Sequence, residues 1–333
     1  VTRVPRSRAL GRAVFGVTLT MLSAACVSGE TGGAGDTTSA AAPAPSAGVA
    51  EATSLAGAPL YRRALPEATR ARLDSNLQRA RAAYESAPGN ADSIIWLGRR
   101  QAYLEQYQDA IATFTDGIAK HPSDPRLYRH RGHRYLTVRE FDKAIADLQK
   151  AAELSKGTPN EVEPDGAPNA RGIPTSTAQG NIYYHLALAH YLKGAYEPSL
   201  AAWQEAMRLA TNDDTRVAVS DWMYMTLRRL GRAEDAKALL ATITPELDVM
   251  ENTAYHRRLL MYKGLVAPDS LLDPKSADEL QFVTQGYGVA NWFLANGDSV
   301  RATELLNRVL SSGYWAAFGF IAAEADVARR AGR

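Results

Sequence analysis

The residues best equipped for chemistry in this chain are six histidines, one cysteine and 36 carboxylates. Their spacing decides what they can do. His130 and His133 stand three apart and would share one face of a helix. Arg126, Arg129, Arg131 and Arg134 surround them, and no carboxylate or third ligand does, so a divalent cation has no place there. His185 and His190 are five apart and point in different directions. No G-x-S-x-G, Walker-type loop, H-E-x-x-H or C-x-x-C occurs. Gly286-Tyr287-Gly288 is a fragment of a dinucleotide pattern without the strand that should precede it. The carboxylates are scattered along helical spacings, as solvated i,i+4 pairs are. The expectation is therefore no catalytic residue, no metal, no cofactor and no enzyme.

Cys26 has no partner for a disulfide and stands where an apolar run gives way to a Gly/Ser/Thr/Ala tract. Residues 1–12 carry Arg3, Arg6, Arg8 and Arg12 and no acid, and residues 13–25 are apolar with a few hydroxyls. Such a run rises only about 20 Å as a helix, short of the roughly 30 Å of a bilayer core, so residues 1–25 read as a signal peptide. Leu22-Ser23-Ala24-Ala25-Cys26 resembles the bacterial lipobox, with its Leu one place further back than usual. That resemblance implies a diacylglycerol on Cys26, which becomes the new N-terminus. Ser23 and Ala25 also satisfy the small-x-small rule of ordinary secretion, which would leave Cys26 a free thiol. A buried structural cysteine fits poorly with the Gly-rich flank. Residues 26–58 then read as the lipidated cysteine and a flexible linker of small residues, averaging about 30 Å end to end. The expected location is the cell envelope, exported and lipid-anchored to a bacterial membrane, or else secreted or periplasmic. Removal of residues 1–25 takes the formal charge from +2 to −2, so nothing in bulk charge favours nucleic acid.

Those residues must be positioned by helices. From residue 67 the apolar spacing is helical and no long alternating strand appears. Gly98 and Gly132 are 34 apart, and so are Ala110 and Ala144, Phe114 and Leu148, and Gly117 and Ala151. This pattern, with Pro122 near the unit's end, resembles the tetratricopeptide repeat, in which two antiparallel helices form each unit. The resemblance implies an all-α superhelical solenoid over 59–333. About six units lie near 91–124, 125–155, 180–213, 217–249, 250–282 and 283–312. Gly231, Gly264 and Gly297 mark turns between paired helices. The fourth unit has Tyr224, and the fifth Arg257, where a small residue is usual. The fifth unit's second helix is a stub after Pro268. Residues 67–86 and 314–330 read as terminal helices that cover the hydrophobic ends. Residues 156–177, with four prolines and three glycines, are an insertion loop, and Ser176 with Gln179 reads as a capping box.

The resemblance also implies a concave groove lined by the first helix of each pair. Its positions fall on Arg99, Tyr103, Arg126, Arg129, His133, Asn181, Tyr184 and Tyr191, with Asp221, Arg228 and Arg229. Arg258, Tyr262, Tyr287 and Asn291 continue the row. Arginine and tyrosine are the types favoured at binding hot spots. Such a groove suits a protein or peptide partner, in the form of an extended acidic peptide or a chain terminus. Alternatively the arginines are merely solvated and the tyrosines pack between helices. Two further functions stand behind a docking scaffold: an envelope glycan-capture lipoprotein stacking its aromatic rings on sugars, and, third, a hydrolase.

Overall fold

A computed structural model describes residues 48–272 and 279–332. The signal-type segment, Cys26 and the first part of the linker lie outside the described residues. Among these residues the regular structure is thirteen α-helices, one 3-10 turn and a two-stranded hairpin. Among the described residues no helix is long and apolar enough to cross a membrane.

Helix α1 (Glu67–Ser86) leads into six helix pairs. These are α2 (Ala91–Tyr103) with α3 (Tyr107–Lys120), α4 (Pro125–Thr137) with α5 (Phe141–Leu154), and α6 (Ala178–Leu192) with α7 (Tyr196–Arg208). Then come α8 (Asp213–Arg229) with α9 (Ala233–Ala241), α10 (Thr253–Tyr262) with only a 3-10 turn (Pro268–Leu271), and α11 (Glu279–Ala295) with α12 (Ser299–Leu310). The closing helix is α13 (Phe318–Arg330). This is an all-α helical-repeat solenoid of tetratricopeptide type, in which the first helices pack in a row and α3, α5 and α7 each pack on the next pair.

Short polar residues start the first helices. Asn90, Asp124, Thr177 and Asn212 each accept a backbone N–H of the turn they open, and Pro125 follows Asp124 at the first helical position. The cap of α6 is Thr177, one residue beyond the expected Ser176, whose Oγ instead accepts from Asn181 Nδ2 at 3.0 Å. Small residues set the crossings. A Cβ on Gly98 would fall 2.5 Å from the Phe114 ring, and one on Gly132 would fall 2.8 Å from Leu148. Ala110, Ala144 and Ala151 are fully buried.

The turn within each pair needs one left-handed residue. Gly194, Gly231, Gly264 and Gly297 fill it in the later units, with φ of +72° to +84°. The first two units use Glu105 (φ 58°) and Arg139 (φ 69°) there. Both non-glycine side chains hold a segment distant in sequence. Glu105 accepts from the backbone and Nε of Arg63 at 2.8 and 2.6 Å, and Arg139 pairs with Glu324 of α13 at 2.8 Å.

Two expectations give way here. The linker does not run free to residue 58. Ala52–Thr53 (β1) pairs antiparallel with Pro59–Leu60 (β2), and Glu51 is buried with its carboxylate on the first-turn N–H of Gln108 in α3. An acid at a helix N-terminus is favourable whatever the composition of the segment that carries it. The closing helix begins at Phe318 and is more than an end cover. Gly319–Asp326 is buried throughout, packed on α11 and α12 and against the inner row. Its small residues permit that approach: a Cβ on Gly319 would lie 2.6 Å from the Val283 carbonyl.

Candidate functional site

The groove residues fall into separate neighbourhoods. At the C-terminal half, Tyr191 and Tyr287 are fully buried and share a 2.8 Å hydroxyl hydrogen bond. Asn291 donates to Tyr191 Oη at 3.2 Å, and Tyr287 donates to Asp326 of α13 at 3.0 Å. Arg229 reaches the same carboxylate at 2.6 Å. Tyr191, Tyr287 and Asn291 are thus not partner-facing, because α13 occupies the inner face in front of them. Arg258 is also buried. It pairs with Asp221 at 2.9 Å, and both side chains have no exposure. A Cβ on Gly288 would fall 1.9 Å from Arg258 Nε, so the glycine there makes room for a guanidinium rather than for a nucleotide. Tyr184 is half-buried, edge-on to Trp203 at 5.1 Å. Arg228 donates to the Ala295 carbonyl at 2.7 Å. Arg126 is exposed and held by Asp92 and Asp124 at the rim.

The N-terminal half differs. Arg99, Tyr103, Arg129 and Asn181 converge, and they converge on the chain's own insertion loop. Residues 161–166, Glu-Val-Glu-Pro-Asp-Gly, cross the row in an extended path. The Glu163 N–H donates to the Ser176 carbonyl at 3.0 Å and the Ala178 N–H to the Glu161 carbonyl at 2.8 Å, beside an isolated bridge of Val162 with Thr177. Arg99 Nη1 donates to the Pro164 carbonyl at 2.9 Å, and Arg100 Nη1 to the Gly166 carbonyl at 2.8 Å. Glu163 receives Arg129 Nη2 at 3.1 Å and Asn181 Nδ2 at 2.9 Å. Gly166 lies so close that a Cβ would stand 2.1 Å from the Tyr103 hydroxyl. Beyond it the loop is strapped down by Arg171 on Asp248 and by Asn169 and Thr175 on Glu251.

Two cavities adjoin this arrangement. One of about 120 Å³ lies beneath Glu163, against Arg99, Arg129, His130, His133 and Arg134. The other, about 500 Å³, is lined by His133, Glu251, Tyr255, Thr284 and Phe318 among others. His133 serves both, its ring 4.3 Å from His185 and 5.4 Å from Phe318. Burial, reinforced by the neighbouring guanidiniums, pushes His130, His133 and His185 well below the usual histidine range, so all three are neutral at pH 7. Among the described residues no cluster of three or more His, Cys, Asp or Glu is arranged to hold a metal.

Sequence reasoning missed Glu163, Arg100 and Arg134 as members of this site. The signal was available in charge: an acidic, Pro-bearing insertion sits in a chain whose adjacent first helices carry Arg99, Arg100, Arg126 and Arg129.

No family model matches the sequence, and no curated protein matches it either. Solved structures do. A tetratricopeptide repeat protein from Parabacteroides merdae is 16% identical, with 74% of this chain and 88% of that chain covered at a TM-score of 0.45. YrrB, described as a TPR protein with an unusual peptide-binding site, is 14% identical, with 70% and 91% covered at 0.40. A chain of the APC/C hetero-tetramer Cut9-Hcn1 is 15% identical, with 73% and 44% covered at 0.44. The fold assignment stands on the helices themselves.

Proposed function

We propose that this chain is a noncatalytic docking scaffold that binds a protein partner through an extended acidic segment laid across α2, α4 and α6. One observation carries the reading. Four side chains expected to line a peptide groove, Arg99, Tyr103, Arg129 and Asn181, meet an extended acidic stretch of the protein itself. The guanidiniums of Arg99 and Arg100 take backbone carbonyls, which any sequence supplies, and Arg129 with Asn181 takes one carboxylate, which an acidic residue or a chain terminus supplies. The loop therefore stands where a partner's segment would lie, and the partner displaces it. For the glycan alternative, Trp203, Trp222, Tyr191 and Tyr287 are fully buried and offer no ring face to a sugar.

We also propose, from the sequence of the N-terminal segment, that the scaffold is held at the cell envelope by a lipid on Cys26 with the linker that follows as the tether. Detergent phase partitioning tests the anchor. The full chain enters the detergent phase and Cys26→Ser stays in the aqueous phase; identical partitioning of the two removes the anchor. A photo-crosslinking residue at Tyr103, in the full chain expressed in its own cells, tests the docking. A discrete protein adduct that disappears when Arg129→Glu is added supports the groove. An adduct indifferent to Arg129→Glu places docking elsewhere.

A further inference from the structure

The floor of the small cavity carries more positive charge than the loop above it neutralises. Arg99, Arg129 and Arg134 border the roughly 120 Å³ space and Glu163 is its single acid, while the histidines there are neutral. The individual bonds leave the same imbalance. Arg129, only 8% exposed, gives Nη2 to Glu163 and Nη1 to His130 Nδ1, and its buried Nε has no acceptor. Arg99 spends its contacts on a carbonyl and on the face of Trp96. Arg134 lies over the Tyr107 ring at 5.6 Å and makes no ion pair or side-chain hydrogen bond among the described residues. Guanidiniums in such a setting are ordinarily paired, because burying an uncompensated charge is unfavourable.

We infer that this cavity is a binding site for a small oxyanion, a phosphate or a carboxylate group, held by Arg129 and Arg134 beneath the loop. Three guanidiniums against one carboxylate leave a surplus of about two positive charges, which matches an anion carrying one or two, and the Arg134 fork supplies the planar donors that such groups accept. A space of about 120 Å³ equals roughly four water volumes, enough for a phosphate-sized group. Burial and the neighbouring guanidiniums pull Arg134 down to about 10, a direction that a bound anion would reverse. The anion lies under the loop and the proposed partner replaces the loop, so each reading can fail without the other.

Titration calorimetry on the intact chain, at pH 7.5 and constant ionic strength in chloride, decides the matter with inorganic phosphate in one arm and succinate in the other. Saturable one-to-one binding in either arm, weakened at least tenfold by Arg134→Gln and retained by Arg126→Gln, supports the site, and the arm that binds names the source. No binding of either anion to the folded chain overturns it, as does equal affinity in Arg134→Gln. Because Arg134 has no ion pair or side-chain hydrogen bond to abandon and only the Tyr107 ring beneath it, Arg134→Gln in chloride melts close to the parent, which separates loss of binding from loss of fold.

Discussion

Arg258 and Asp221 show how a residue chosen for recognition becomes one of structure. Position alone put Arg258 in a groove; a pairing at zero exposure is set by what packs over it, which a helical period does not encode. Burial pushes Asp221 up to about 7 against the pull of the guanidinium. Arg258→Met strands that carboxylate and should lower unfolding free energy by about 3–5 kcal/mol, whereas Arg258→Met with Asp221→Asn should lose markedly less. Urea denaturation of the two variants checks this, and equal losses would show that the pair is not coupled. The histidines make a second prediction. Their folded pKa values lie well below the ordinary 6.5, so the unfolded chain binds more protons than the folded one once pH falls under that value. Their contribution is full above pH 6.5 and shrinks as pH falls. Melting temperature should therefore drop between pH 7 and 5, and the drop should be shallower in His133→Gln. An equal slope in the variant would show that His133 contributes none of it.

At the scale of elements, most helices were legible because Gly98, Ala110, Gly132 and Ala144 repeat the packing need of a crossing at a fixed interval. The exceptions follow from contacts distant in sequence. The hairpin at Ala52–Leu60 forms because Glu51 finds the start of α3, 57 residues away. Arg139 occupies a left-handed turn position where glycine would be easier, and its partner Glu324 is 185 residues on. Arg139→Gly relieves about 1–2 kcal/mol of backbone strain yet takes the cation from the buried Glu324 carboxylate and leaves it the Leu55 N–H. Thermal unfolding should show a net loss of about 2 kcal/mol. A neutral or stabilising result would mean that the turn, and not the pairing, governs this position.

For the whole molecule, the repeat predicts how neighbouring pairs stack but says little about how far the superhelix curls. Here the curl brings α13 against α6 and the Trp315 indole within 2.7 Å of the Tyr61 carbonyl. The inner face is thereby divided. Its later half is filled by the closing helix, and its earlier half by a loop that leaves its arginines in place. That division explains why Arg99, Arg129 and Asn181 share a ligand-like segment while Tyr191, Tyr287 and Asn291 are packed away. The most direct test replaces residues 159–171 with an equal length of Gly and Ser and titrates both proteins with a labelled peptide of sequence NEVEPDGA, residues 160–167. The account predicts that the altered chain, with unchanged helicity, binds the peptide at least tenfold more tightly than the parent, and that adding Arg99→Glu and Arg129→Glu abolishes binding. Equal affinity for both chains, or no binding by the folded loop variant, would contradict it.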